Sequence, residues 1–357
     1  MLNFTVGPVM SSDEVLAVAA KSSPYFRTPE FSEVMLENER LVLRFLNAPE
    51  GSRCVFLTAS GTGAMESCVM NILSADDKAL VVNGGSFGAR FLKLCLLHGL
   101  DTVEIPVEFG KQLTAEMLDQ YADSGATALL VNMGETSSGS LYDMSLISAF
   151  CREHEILLIV DAISTFLADD VDMDEWHAAA VLTGSQKALA VHPGVSVVAL
   201  SPEAIERVYN NPEKCLYLSL QEALRNGERG QTPWTPAVTT LLEINARLRR
   251  IEEGGGTETE KARVAYLAQK FRQGISDLPL HLLPESPSNA VTALLPAKQN
   301  AREIIDILKS EYSIWVCPNG GDLSDKVFRV GHIGNITDAD LDTLISALHD
   351  LNKRGIL

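Results

Sequence analysis

Positive charge is scarce in this sequence relative to negative. Its 29 lysines and arginines face 47 aspartates and glutamates, giving a formal net charge of −18 at pH 7 over 357 residues. Such a surface repels phosphate backbones and anionic lipid headgroups, which argues against nucleic acid or membrane as partners. Any anion must then be held by cations placed locally. Long hydrophobic runs are also missing. No apolar stretch is long enough to cross a bilayer, and the polar "SSDE" at Ser11 to Glu14 leaves no room for a signal-peptide core, so a cytoplasmic protein is expected. Cysteine is sparse: Cys54, Cys68, Cys95, Cys151, Cys215 and Cys317 form no CxxC pair, and several lie in apolar surroundings such as "RCVFL". Small buried thiols in a reducing compartment are the expectation, with no disulfide and no metal role. The seven histidines are scattered, with neither HExxH nor HxH. There is no internal repeat and no low-complexity segment.

What is present is a rich interior, with 46% hydrophobic residues in a chain long enough for two domains. From about Val55 to Leu200, short apolar runs alternate with segments of helical length. "CVFLTAS" precedes Gly61 to Leu73, and "ALVVNGG" precedes Phe87 to His98. "TALLVNMG" precedes Met144 to His154, and "ILLIVDAIS" follows. Continuous apolar strands separated by helices predict an α/β fold with a parallel sheet covered on both faces. In such sheets the loops at the carboxyl ends of the strands build the ligand site. Four polar or glycine-containing stretches fall there: "SGTGAME", "NGGSFGAR", "NMGETSSG" and "DAIST". Leu241, Ile244, Leu248 and Ile251 mark one face of a helix ending at "EEGGGTETE", Glu252 to Glu260, which reads as a linker. We therefore expect a large α/β domain over 13–253 and a smaller α+β domain over 257–357. Residues 1–12 are expected to pack with the small domain or a dimer interface. The last helix is expected to open on a Thr337-x-x-Asp340 cap.

Three features carry chemistry. Ser60, Gly61, Thr62 and Gly63 stand between a strand and a helix, where glycines admit close backbone approach and free N–H groups can receive a phosphate. The stretch is neither a Walker loop nor a dinucleotide fingerprint, and alone it is equally a structural turn. Asp161 ends the most hydrophobic strand, where a carboxylate needs a partner: a neighbouring loop, or a cationic ring nitrogen. Lys187 sits in a small-residue turn between two apolar runs, "VLTGSQKALAVHPGVSVVAL", and a lysine there is either on a surface loop or presented into a cleft. Taken jointly and in this order, the three have one common chemical solution. Pyridoxal phosphate needs a lysine for its Schiff base, an acid partner for its pyridinium nitrogen and a phosphate cup.

The chain resembles the class V (fold type I) pyridoxal-phosphate aminotransferases, and most of all the group of alanine/serine–glyoxylate and 2-aminoethylphosphonate–pyruvate aminotransferases. The likeness rests on "FTVGPVMSSDEV", "FRTPEF", "SGTGAME", "NGGSFGAR", "GETSSG", "VDAIS", "GSQKAL..HPG" and "FRVGHIG", all in order along nearly the whole chain. It implies a mostly parallel seven-stranded sheet sandwiched by helices, with a smaller C-terminal α+β domain. It also implies pyridoxal 5'-phosphate as cofactor, and Lys187 and Asp161 as the catalytic pair. Ser60, Gly61 and Thr62 would form the phosphate loop, and Gln186 would lie near the ring or phosphate. Ile163 would pack beneath the ring, Phe87 would stack on it in place of the commoner tyrosine or tryptophan, and Thr136 would hydrogen-bond the ring region. Arg329 would clamp the substrate carboxylate, with Arg27 a further contributor. Thr232 or Thr235 in "RGQTPWTPAV" would reach the partner subunit's phosphate in a homodimer whose active site lies at the interface.

The implied reaction moves an amino group from 2-aminoethylphosphonate, serine or alanine to pyruvate or glyoxylate. A same-fold lyase such as a cysteine desulfurase is the rival. That chemistry needs a nucleophilic cysteine on a mobile loop, and "CPNGGDLSDKVFR" offers only Cys317, at the end of the run "SIWVC".

Overall fold

The computed structural model describes residues 1–357. The chain opens with a short strand, β1 (Leu2–Phe4). The alternating region then supplies β2 (Arg53–Leu57), β3 (Lys78–Asn83), β4 (Asp101–Pro106) and β5 (Ala128–Asn132). A small hairpin, β6 (Gly134–Glu135) with β7 (Ser140–Leu141), precedes β8 (Leu157–Asp161), β9 (Ala178–Gly184) and β10 (Ser196–Leu200). Seven of these form one sheet in the order β2-β10-β9-β8-β5-β3-β4. From β9 to β4 all neighbours are parallel, as the sequence predicts. The exception is β10, which runs antiparallel to both β9 and β2. Only the turn Ser185 to Val195 joins β9 to β10, too short for the crossover a parallel return demands.

Every residue of β5, β8, β9 and β10 is buried. The two-residue period splits them between two cores: Leu129 and Val131 point into one, Ala128 and Leu130 into the other. A second sheet takes β11 (Leu280–Leu282), β12 (Val291–Pro296), β13 (Ile314–Pro318) and β14 (Phe328–Gly331) in the order β1-β13-β14-β12-β11. Its edge is the chain's first strand, paired in parallel with β13. Phe4, Phe271 and Phe328 share its core. The last helix, Asp338–Lys353, carries a complete capping box: Thr337 Oγ1 accepts from the Asp340 N–H and Asp340 Oδ2 from the Thr337 N–H.

The stretch Glu252 to Glu260 is not a linker. A helix runs through Val238–Glu253 and the next, Gly256–Gly274, begins almost at once. The glycines serve as the helix end: Gly255 and Gly256 have φ of +107° and +79°, values that reverse the chain without steric cost, and the TETE that follows has helical company on both sides. Cys54, Cys68, Cys95 and Cys151 are buried, whereas Cys215 and Cys317 are only partly covered; none is in a disulfide. No helix is long and apolar enough to cross a membrane.

Candidate active site

The carboxyl ends of the parallel strands converge on Lys187. It lies in the turn after β9, and only 8% of it is exposed. The segment before Pro8 lies on its stem, so closely that a Cβ on Gly7 would strike Lys187 Cδ and the Gln186 carbonyl oxygen. Burial, with the Arg329 guanidinium adding to it, pushes the Lys187 ammonium down to about 8, against the weaker pull of Cys317 and Asp161. A lysine at that value has a substantial neutral, nucleophilic fraction near physiological pH.

Asp161 is the last residue of β8. Its Oδ2 accepts from Asn132 Nδ2 at 2.5 Å, and its Oδ1 from the Ile163 N–H at 2.8 Å. Those two donors favour the ionised form, but burial outweighs them and lifts the carboxyl to about 6. A buried carboxylate with two neutral donors and no cation in contact lacks a charged partner.

The loop Ser60 to Thr62 enters the helix Gly61–Ile72. Ser60 occupies the N-cap position, yet its hydroxyl makes no cap bond. The helix N-terminus and that hydroxyl are therefore free for an outside acceptor. A Cβ on Gly61 would run into Ile163 Cδ1, so only glycine lets the loop rest against the isoleucine. Phe87 stands at the start of the helix Gly88–Leu97. Arg90, one turn on, lies 4.8 Å from the Phe87 ring centroid and donates from Nη1 to Thr62 Oγ1 at 3.0 Å. The free N–H groups at that helix start are taken by the chain itself: Glu135 Oε2 accepts from the Phe87 and Gly88 N–H groups, each at 3.1 Å. Ser137 Oγ donates to the other Glu135 oxygen.

A cavity of about 200 Å³ gathers Lys187, Gln186, Asp161, Ile163, Phe87, Thr136 and the Ser60–Gly61–Thr62 loop, together with Arg90 and Gly7. Arg329 borders this group without lining the cavity. Its Nη1 donates to the Thr136 carbonyl at 3.0 Å and its Nη2 to the Pro318 carbonyl at 2.6 Å and Cys317 Sγ at 3.2 Å. Its Nε is buried without an acceptor. Arg27, Thr232 and Thr235 lie outside the cavity. Arg27 donates to the Thr232 and Pro233 carbonyls and to Gln231 Oε1, Thr232 gives its hydroxyl to the Trp234 carbonyl, and Thr235 is exposed. A larger cleft of about 500 Å³ contains none of these residues; Asp143, Asp169, Asp170, Glu175 and Glu258 give it a sign that opposes an anionic ligand.

Arg90, Asn132 and Glu135 were missed as site residues. Each lies inside or beside a stretch already singled out, but their partners stand 28, 29 and 48 residues away, a pairing no local pattern displays.

A family profile described as "Aminotransferase class-V" matches residues 14–322. The chain is 31% identical over 349 residues to a Synechococcus protein named "Soluble hydrogenase, small subunit", covering 96% of this chain and 90% of that one. It is 30% identical over 350 residues to the L-aspartate–glyoxylate aminotransferase of Paracoccus denitrificans, covering 94% and 87%. Among solved structures, the aspartate aminotransferase of Thermus thermophilus superposes with a TM-score of 0.91 over the whole of both chains at 26% identity.

Proposed function

Because the chain belongs to the class-V aminotransferase family, we propose that it transfers the amino group of a small amine or amino acid, such as 2-aminoethylphosphonate, serine or alanine, to glyoxylate or pyruvate, with Lys187 as the amine that carries the cofactor. Aminotransferases of this class use pyridoxal phosphate, and the residues here fit that group. The uncapped Ser60 hydroxyl and the adjoining helix start suit its phosphate, Ile163 and Phe87 offer apolar faces for its ring, and Asp161 lacks the cation that its ring nitrogen would be. Bound through a Schiff base to Lys187, pyridoxal phosphate supplies an electron sink for negative charge developing at the substrate Cα.

The chain's own residues do the rest. Asp161 would hold the ring nitrogen and, when ionised, favour a proton there. With the cofactor bound, Lys187 Nζ would be the group that takes a proton from the substrate Cα and returns it, a role suited to an amine that titrates at about 8. Arg90 can only donate, so Thr62 Oγ1 accepts from it and would keep its own proton for the phosphate. Arg329, whose Nη1 and Nη2 rest on the Thr136 and Pro318 carbonyls beside the cavity, would turn its planar fork to the oxo acid's carboxylate, and its Nε, buried without an acceptor, is the observation that favours a ligand there. Gln186 and Thr136 line the ring region. Thr232 or Thr235, with Arg27 holding their segment, serves the phosphate of a second subunit in a homodimer. Residues 13–253 form the cofactor-binding unit and 257–357 the smaller one. The setting is the cytoplasm.

What supports this most is one juxtaposition: a buried amine, Lys187, and a buried carboxylate without a cation, Asp161, open on the same cavity as a phosphate-type loop. Glyoxylate is the acceptor named for the Paracoccus relative. The test is turnover by the purified protein with aspartate, serine, alanine and 2-aminoethylphosphonate as donors against glyoxylate and pyruvate. Lys187→Ala is expected to abolish turnover with every pair; retained activity in that variant would sink the assignment. The desulfurase alternative is disfavoured because Cys317, its only candidate nucleophile, sits in β13 and accepts a hydrogen bond from Arg329. No group of three or more His, Cys, Asp or Glu side chains is placed to hold a metal ion.

A further inference from the structure

A second cavity, of about 180 Å³, lies where Ser12, the Lys187 turn and the segment after β14 meet the two long helices. Its charged lining is three arginines, Arg247, Arg250 and Arg263, against one carboxylate, Glu260. That is an inversion of sign in a chain of net charge −18. Only 11% of the Arg247 side chain is exposed. Yet it makes one hydrogen bond, from Nη2 to Glu260 Oε1 at 2.5 Å, and its Nε is buried without an acceptor. Glu260 has little left to give, because Arg263 also binds both of its oxygens, at 2.7 Å and 3.3 Å. Arg250 pairs with Glu14 on its outer side. Ser12, at the N-cap of the helix Asp13–Ala19, makes no cap bond, and its Oγ is buried without a partner. Burial holds the Arg247 guanidinium below its usual value; the Arg263 and Arg250 charges add to that, and Glu260 opposes it.

A buried guanidinium requires acceptors for its five donors, and two further arginines beside it increase the demand for negative charge. We propose that this cavity binds a compact oxyanion, of the phosphate or carboxylate type, on Arg247, at a site separate from the one that holds the cofactor. A cavity of about 180 Å³ is large enough for a free ion of this kind. The location gives the ion a mechanical role. Ala190, three residues past Lys187, and Asn335, six past Arg329, both line the cavity, so a bound anion ties the lysine turn to the segment that follows the carboxylate clamp.

The experiment is thermal unfolding of the protein kept saturated with pyridoxal phosphate, titrated with sodium phosphate, with sodium acetate, and with sodium chloride at matched ionic strength. Saturating cofactor prevents phosphate from filling the cofactor's own cup. A saturable rise in melting temperature with phosphate beyond that with chloride is expected, and an equal rise with acetate would assign the site to carboxylates instead. Arg247→Gln should raise the half-saturating concentration at least about tenfold, the cost of a lost charge-assisted bond. Arg329→Lys should leave the titration unchanged, which separates this site from the substrate clamp. Should Arg247→Gln fail to fold, Arg250→Gln, half exposed, gives the same reading with a smaller displacement. A response to phosphate and acetate no larger than to chloride, or one that survives in both the Arg247 and Arg250 variants, would overturn the proposal.

Discussion

Asp161→Asn should make the cofactor-free protein more stable while crippling the enzyme. In the folded chain the Asp161 carboxyl titrates at about 6 against an ordinary 3.8, raised chiefly by burial. The folded state therefore keeps a proton that the unfolded chain has already released, and stability falls as pH rises from about 4 to 6. Above that window the full cost of an ionised, buried carboxylate is present, about 3 kcal/mol at 1.36 kcal/mol per pH unit. An amide carries no charge, so the substitution removes this cost. It also removes one acceptor, leaving either Asn132 Nδ2 or the Ile163 N–H unsatisfied, a loss of about 1 kcal/mol. The balance at pH 8 is a gain of about 2 kcal/mol. With an unfolding entropy near 2.1 cal/mol/K per residue, that is about 2–3 °C for a chain of this length. Near pH 4.5 only about 1 kcal/mol of the charge cost remains, which the lost bond cancels, so the two proteins should melt together. The assay is calorimetry of stripped wild type and Asp161→Asn at both pH values, repeated with cofactor. Cofactor should reverse the order at pH 8, because only the carboxylate gains a cationic partner. If the stripped variant melts below wild type at pH 8, the carboxylate is a net structural contributor and the reasoning fails.

Three further outcomes are expected. Arg329→Lys keeps the charge but loses the fork, so KM for the oxo acid should rise on the order of 10–100-fold while the cofactor's visible absorbance is unchanged; an unaltered KM would move the clamp elsewhere, with Arg27 the next position to test. Arg90→Gln should weaken cofactor affinity about tenfold in equilibrium dialysis, since Thr62 loses the donor that fixes its hydroxyl, and an unchanged affinity would leave Arg90 as packing on Phe87. The rate at which stripped protein recombines with cofactor should climb about tenfold per pH unit up to about 8 and then level, because only the neutral Lys187 amine reacts; a flat profile would show that the amine is not what titrates.

The parts of this site that were legible in the sequence are those whose chemistry is expressed by a single residue against its local background. A lysine inside an apolar run and an aspartate closing a fully buried strand are costly where they stand, and cost marks them. The strand-end loops were equally visible, because parallel strands announce themselves by unbroken apolar runs. Arg90 and Glu135 were not, since an arginine and a glutamate on short polar stretches look solvated until the starts of two helices bring Thr62 or the Phe87 N–H group to them. The direction of β10 depended on counting the residues after Gly184, a matter of chain length and not of composition. Three consecutive glycines looked like a flexible tether and proved to be a helix stop, because positive φ, which glycine permits, serves both purposes.

The pairing of Leu2 with Ile314 sets a schedule for the chain's own synthesis. The strand Leu2–Phe4 has no partner to join until residues around 314 have been made, a contact across more than 300 residues that must bear the entropy of closing so long a loop. Until it closes, nothing in this pairing holds the segment ending at Gly7 against the Lys187 stem. Enclosure of the lysine stem is thus tied to a contact between strands more than 300 residues apart.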